Sequence, residues 1–161
     1  SRAMTAADPE LEQRIAAADR ALSSGNPSTA RDILEQAAAT DPHDPAFWQR
    51  LATVRQMTGA PAKAIEAIDR ALAIEPLDFM NLLMRARMLD QAGHPESGEA
   101  YGRALAQPRP VPLPPMLAQA IARAETLWAE HQHGTEGRLN AAVEASGADL
   151  TPAERRRTER L

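Results

Sequence analysis

The fold is decided by one stretch, "QMTGAPAKAIEAIDRALAIEP", residues 56–76. It reads as the end of one helix, a Gly-x-Pro break, and a second helix running to a proline. Gly59 falls just past a helix end, where a left-handed backbone costs glycine little. Pro61 falls in the first turn of the next helix, where its missing N–H is not needed and its fixed φ helps. Pro76 cannot continue that helix and stops it. Ile65, Ile68 and Leu72 recur at helical spacing and give the second helix one apolar stripe.

The same punctuation occurs at Ser24-Gly25-Asn26-Pro27 and Ala92-Gly93-His94-Pro95. Gly25, Gly59 and Gly93 are 34 residues apart, and so are Pro27, Pro61 and Pro95. Ala18, Ala52 and Ala86 keep this step, as do Pro42, Pro76 and Pro110. A period near 34 residues points to a solenoid of helix–turn–helix units. The pattern predicts first helices near 9–24, 45–58 and 78–92, and second helices near 27–40, 61–74 and 95–107. Ala52 and Ala64 are small where paired helices would cross; a larger side chain there would cost about 1–3 kcal/mol. One helix pair cannot bury its own stripe, so stacking supplies the stability.

Composition agrees with an all-α fold. Hydrophobic residues make up 43% of the 161-residue chain but aromatics only 3%, with alanine prominent. Small side chains let helices approach, whereas a β-sandwich needs the β-branched and aromatic residues that are scarce here. A net charge of −4 gives no footprint for nucleic acid. The absence of cysteine excludes disulfides, thiolate catalysis and Cys-ligated zinc. No apolar run approaches the roughly 18 residues of a membrane span. No secretory signal is visible, and the expected location is cytoplasmic. Ser1-Arg2-Ala3 before Met4 look like a tag scar, so a native leader could have been removed.

On these residues the chain resembles the tetratricopeptide repeat family, whose pattern is W-x2-L-G/A-x2-Y, then A, an aromatic or aliphatic residue, A and P. The second unit carries Trp48, Leu51, Ala52, Gly59, Ala64, Ile68, Ala71 and Pro76, departing at Arg55 where the family has tyrosine. The first offers Ala17, Ala18, Gly25, Ala30, Leu34, Ala37 and Pro42. The third offers Leu82, Ala86, Leu89 and Gly93. It is then expected to lose one residue, with Tyr101, Ala104 and Leu105 one place early and Gly98 replacing an alanine. The expected layout is a tag remnant and flexible start at 1–8 and three repeats over 9–110 (about 11–44, 45–78 and 79–110). A connector and capping helix or helices follow at 111–150, and the start of a further, truncated helix at 151–161.

The regular period fails at "QPRPVPLPPM", 107–116, whose five prolines forbid a helix until its end. It reads as a stiff connector, with a PxxP recognition ligand as the alternative. Leu117, Ile121, Ala124 and Trp128 then mark one helical face, with Leu139 and Val143 roughly in phase. A helix is expected from about 115 to 132, followed by continuation or by a break at Gly134–Gly137. It would cover the third repeat, with Trp128 as anchor. Thr151-Pro152-Ala153-Glu154 is a good helix start close to the end of the sequence, which suggests a longer parent protein. This layout resembles the N-terminal region of bacterial proteins carrying an aspartyl/asparaginyl β-hydroxylase domain. That resemblance implies an Fe(II)/2-oxoglutarate-dependent oxygenase in the parent, although none of its catalytic motifs lies in these residues.

Catalysis by this chain itself is not expected, and no catalytic residue, cofactor or metal ligand is assigned. There is no GxSxG, phosphate loop or HExxH. His43, His94, His131 and His133 are expected in solvent, and the last two lack the i, i+4 spacing of a helical metal pair. Asp8, Asp41 and Asp44 beside prolines look like cap and turn residues. The resemblance implies a concave groove lined by the first helices. Its candidates are Ile15, Asp19 and Leu22, then Gln49, Thr53 and Gln56, then Leu83, Arg87 and Asp90. Such a groove would hold a protein or peptide partner or an adjacent domain, with amide hydrogen bonds to Gln49 and Gln56 and a carboxylate read by Arg87. The family's carboxylate clamp needs lysines and asparagines where Ile15, Asp19, Met80 and Met84 stand, which disfavours that specialised use. The alternatives are a structural or homodimerising part with an empty groove, and a free-standing adaptor in envelope or secretion assembly. Neither a nucleic acid nor a membrane is an expected partner.

Overall fold

The computed structural model of the chain describes residues 8–146. Seven helices fill that span: α1 (Pro9–Ser23), α2 (Pro27–Ala38), α3 (Pro45–Met57), α4 (Pro61–Ile74), α5 (Phe79–Gln91), α6 (Ser97–Leu105) and α7 (Leu117–Ser146). Of the tag remnant and flexible start expected at 1–8, only Asp8 is described, as the cap of α1; the rest of it and the further helix expected at 151–161 lie outside the described residues.

Local chemistry sets each boundary. Asp8, Asp44 and Asp78 precede α1, α3 and α5 in extended conformations. Their carboxylates accept hydrogen bonds from the N–H groups of Glu10 (2.9 Å), Ala46 (3.0 Å) and Asn81 (2.9 Å). Each satisfies a donor that the helix start would otherwise orphan. Proline opens α1, α2, α3 and α4. The first helices also end alike. The N–H groups of Asn26, Ala60 and His94 donate to the carbonyls of Ala21 (2.8 Å), Arg55 (2.8 Å) and Leu89 (2.9 Å). One main-chain bond thus recurs at the 34-residue step. Closing it requires a left-handed residue, and Gly25, Gly59 and Gly93 have φ of 77°, 81° and 68°. A Cβ on any of the three would meet nothing within 4 Å, so backbone conformation alone selects glycine there.

Each helix packs chiefly on its chain neighbours, first against second within a unit and second against the first helix of the next. The result is an all-α helix-pair solenoid. Ala18, Ala52, Ala64 and Ala86 are fully buried, as crossing points require. Trp48 donates from Nε1 to the carbonyl of Pro42 (2.7 Å) and meets Phe47 edge-on at 5.1 Å. Arg70 lies 4.2 Å over the Trp48 ring and pairs with Asp41, which sits in its turn with φ of 52°. Arg55, standing in the family's tyrosine place, ties α3 to both neighbours. Its Nε donates to Glu35 (2.7 Å) and its Nη1 to the Lys63 carbonyl (2.9 Å).

Buried side chains form two clusters, one built on α1–α4 with Met88 and one on α5–α7, and Ile65 packs against both. Helix α7 runs unbroken through Gly134 and Gly137, so continuation is the alternative observed. It lies on α6 as α3 lies on α2 and α5 on α4. Its buried Ala124 matches Ala18, Ala52 and Ala86, so the cap takes the place of a fourth unit's first helix.

In the third unit the burial pattern of α4 recurs in α6 one place early: Ala100, Tyr101 and Ala104 are buried as Ala67, Ile68 and Ala71 are. What sets α6 apart is its glycines. A Cβ on Gly98 would lie 2.8 Å from the Cβ of His131, and one on Gly102 would lie 2.4 Å from the Trp128 ring. Trp128 and His131 stack with ring centroids 5.6 Å apart. His131 is therefore half-buried, unlike the exposed His43, His94 and His133.

Candidate functional site

The concave side brings together α3, α5 and the start of α7. Between them lies a pocket of about 230 Å³ lined by Thr53, Gln56, Met57, Met80, Leu83, Met84, Arg87, Met88, Gln91 and Leu117. Four of the chain's six methionines meet here. Met80, Met84 and Met88 follow one another at i, i+4 and i+8 along α5, the spacing that keeps side chains on one helix face.

Of the nine groove candidates, Thr53, Gln56, Leu83 and Arg87 line this pocket, whereas Ile15, Asp19, Leu22, Gln49 and Asp90 do not. Ile15 and Leu22 are half-buried against the first core cluster. Asp19 accepts from Arg50 Nε (3.3 Å), an ion pair between α1 and α3. Gln49 offers its main-chain carbonyl to the Thr53 hydroxyl (3.0 Å). Gln56 donates from Nε2 to Gln91 Oε1 (2.6 Å), and its own Oε1 is buried without a partner. Leu83 is buried in the second cluster with its surface turned to the pocket. Arg87 is exposed at the rim.

Asp90, expected in the open groove, instead joins three helices. It accepts from Tyr101 Oη (2.7 Å) on α6 and from Arg123 Nε (3.0 Å) and Nη2 (3.1 Å) on α7. The Arg123 guanidinium holds the Asp90 carboxyl below its ordinary range, against the opposing effect of burial and with help from the Tyr101 hydroxyl. Burial, reinforced by the Asp90 charge, pushes the Tyr101 hydroxyl well above its ordinary value. A second recess of about 230 Å³ is lined by Arg87, Asp90, Gln91, Tyr101, Gln119, Ala120 and Arg123. It shares Arg87 and Gln91 with the methionine pocket.

The sequence reading did not single out the methionine wall. It noted Met80 and Met84 only as replacements for clamp residues and passed over Met57 and Met88. The visible signal was the methionine spacing in α5. Arg123 carried no signal, because α7 lies outside the 34-residue pattern, and Tyr101 was read only as a repeat position. Among the described residues no group of three or more His, Asp or Glu is placed to hold a metal ion. No described helix is long and apolar enough to cross a membrane.

Helix pairs stacked at a fixed step, glycine-closed and facing one concave surface, define a helical repeat solenoid. Residues 21–80 match the family model of the tetratricopeptide repeat. No curated protein sequence matches it. Similar solved structures include the Yersinia enterocolitica type III secretion chaperone SycD in complex with a peptide of the translocator YopD. That pair shares 19% identity with a TM-score of 0.63, covering 78% of this chain and 95% of that one. PcrH in complex with the chaperone-binding region of PopD is 20% identical, with a TM-score of 0.63, covering 76% and 93%. The Sgt2 TPR domain from Aspergillus fumigatus is 20% identical, with a TM-score of 0.62, covering 84% and 89%. At these identities the likeness concerns the fold.

Proposed function

We propose that the chain is a non-catalytic docking module that binds a segment of a partner protein, or of an adjacent domain, in the groove between α3, α5 and α7. The observation that carries this reading is the methionine-walled pocket on the concave side. Flexible, polarizable methionines suit a surface that must accommodate an incoming chain. Peptide complexes of the similarly folded SycD and PcrH support the same use of the fold. A photo-crosslinking residue at Thr53 should capture a partner in cells of the source organism, and the same residue at Lys63, on α4, should not. Equal capture from both places would remove the groove from the reading.

In the finer form of this proposal the module stands ahead of an Fe(II)/2-oxoglutarate-dependent aspartyl/asparaginyl β-hydroxylase domain and presents substrate to it. The layout of residues 107–161 supports it, and the reading frame beyond Leu161 tests it. The competing reading is a homodimer through α7, whose buried residues, Leu117, Ile121 and Ala124, all lie in its first turns. Light scattering at two concentrations separates monomer from dimer.

A further inference from the structure

We infer that the groove selects an extended acidic segment in which a large apolar side chain and a carboxylate stand two residues apart; this rests on the docking reading above and names its ligand. Two recesses adjoin on the concave face and share Arg87 and Gln91 as a common wall. They differ in chemistry. The first, about 230 Å³, is walled by Met57, Met80, Met84, Met88 and Leu83. An apolar cavity of about 150 Å³ already holds a benzene-sized group, so this one admits a leucine, methionine or phenylalanine side chain. The second is polar and carries Arg87, Arg123 and Asp90, a balance of one positive charge in a chain whose net charge is −4.

Arg87 is the charge left over. Arg123 pairs with Asp90, Arg50 with Asp19, Arg55 with Glu35 and Arg85 with Asp69. Among the described residues Arg87 makes no ion pair within 4 Å and is the only ionisable one lining the methionine pocket. Asp90, one turn further along α5, is held by Arg123 and Tyr101 and does not neutralise it. A guanidinium free at a partly desolvated rim is a carboxylate reader. In an extended chain, residues i and i+2 point the same way, about 6.6 Å apart. Two recesses that share Arg87 and Gln91 as a wall can take two such side chains, which gives an apolar-x-Glu or apolar-x-Asp segment.

The test uses methionine methyl groups as reporters. The chain labelled with ¹³C at the methionine methyls is titrated with a Gly/Ser nonapeptide carrying Phe-Gly-Glu, and with a twin carrying Phe-Gly-Gln. The signals of Met57, Met80, Met84 and Met88 should shift saturably. The glutamine twin should bind about fivefold more weakly. R87Q should weaken the Glu peptide by a similar factor and leave the Gln peptide unchanged. Arg87 is exposed, so this variant should keep the wild-type melting temperature. Equal affinity for the two peptides, or methyl shifts that appear on concentrating the chain without peptide, would overturn the assignment. The second outcome would give the pocket to another copy of the chain. If Thr53 crosslinking captures a partner while these titrations fail, the docking reading stands and the ligand chemistry is wrong. Failure of both removes the groove.

Discussion

Gly59 and Gly102 are both required, for opposite reasons. Gly59 lies in the regular half of the molecule, with open space where its side chain would be, and only its φ of 81° selects it. Gly102 lies inside helix α6, where any residue could adopt the backbone, and the Trp128 ring fills the place of its Cβ. The first glycine belongs to the joint and returns at every step of 34. The second belongs to a contact made once. The N-terminal units are therefore governed by chain geometry, and the C-terminal end by the shape of one incoming helix.

The strongest way to break this comparison is G102I. It should destabilise the chain by about 3 kcal/mol, because a full side chain meets the Trp128 ring. Urea unfolding measures the loss. Hydrogen exchange should place it in α7, whose amides over 117–130 open first. If W128A restores most of the stability of G102I, the contact is the cause; simple additivity would deny it.

N81L should act in the other direction. Asn81 is only 4% exposed, and its Oδ1 has no hydrogen-bond partner. A leucine of similar shape removes an unsatisfied buried acceptor and should stabilise by about 1.5 kcal/mol. A fall in the urea midpoint would mean that Asn81 serves a purpose the packing does not reveal. G59A is the counterpart of G102I in the regular half. It should destabilise by about 1 kcal/mol through backbone strain alone, with no change in the exchange of α7.

The smallest effect concerns pH. The folded-state carboxyl of Asp90 is held below the ordinary value of 3.8, so it binds a proton less readily folded than unfolded. Its contribution is therefore complete above that value and disappears as pH falls through the lower folded one. Because Arg123 is exposed, solvent screens the pair and its contribution is small. Wild type and D90N should differ slightly in urea midpoint near neutrality and converge in acid. A gap that widens in acid contradicts the assignment.

Most of the architecture was legible because its causes are local. A left-handed joint needs glycine, a first helical turn accepts proline, and a crossing point needs alanine. Each cause lies within a few residues of its effect and repeats at one period, which also placed the boundaries of α1 to α5 closely. The glycines of the third unit went unexplained because their cause is remote. The small residues of α6 make sense only beside Trp128 and His131, about thirty residues away and beyond the repeat. The candidate site divided in the same way. The periodic positions Thr53, Gln56, Leu83 and Arg87 reached the pocket together. Asp90 sits at an equally periodic position, yet α7 supplied Arg123 and took it out of the groove. Met57 and Met88 were overlooked because methionine at helical spacing reads as ordinary core, and only the curvature of three packed helices turns it into a wall.

The recurring bond from Asn26 to Ala21, Ala60 to Arg55 and His94 to Leu89 uses main-chain atoms alone. No side chain records which copy is being closed, so the hinge between rods is interchangeable from one copy to the next. Splicing a duplicate of residues 27–60 after Ala60 should yield a longer superhelix with one extra rung of recognition surface, and evolution or a designer could vary that reach without touching the terminal lid.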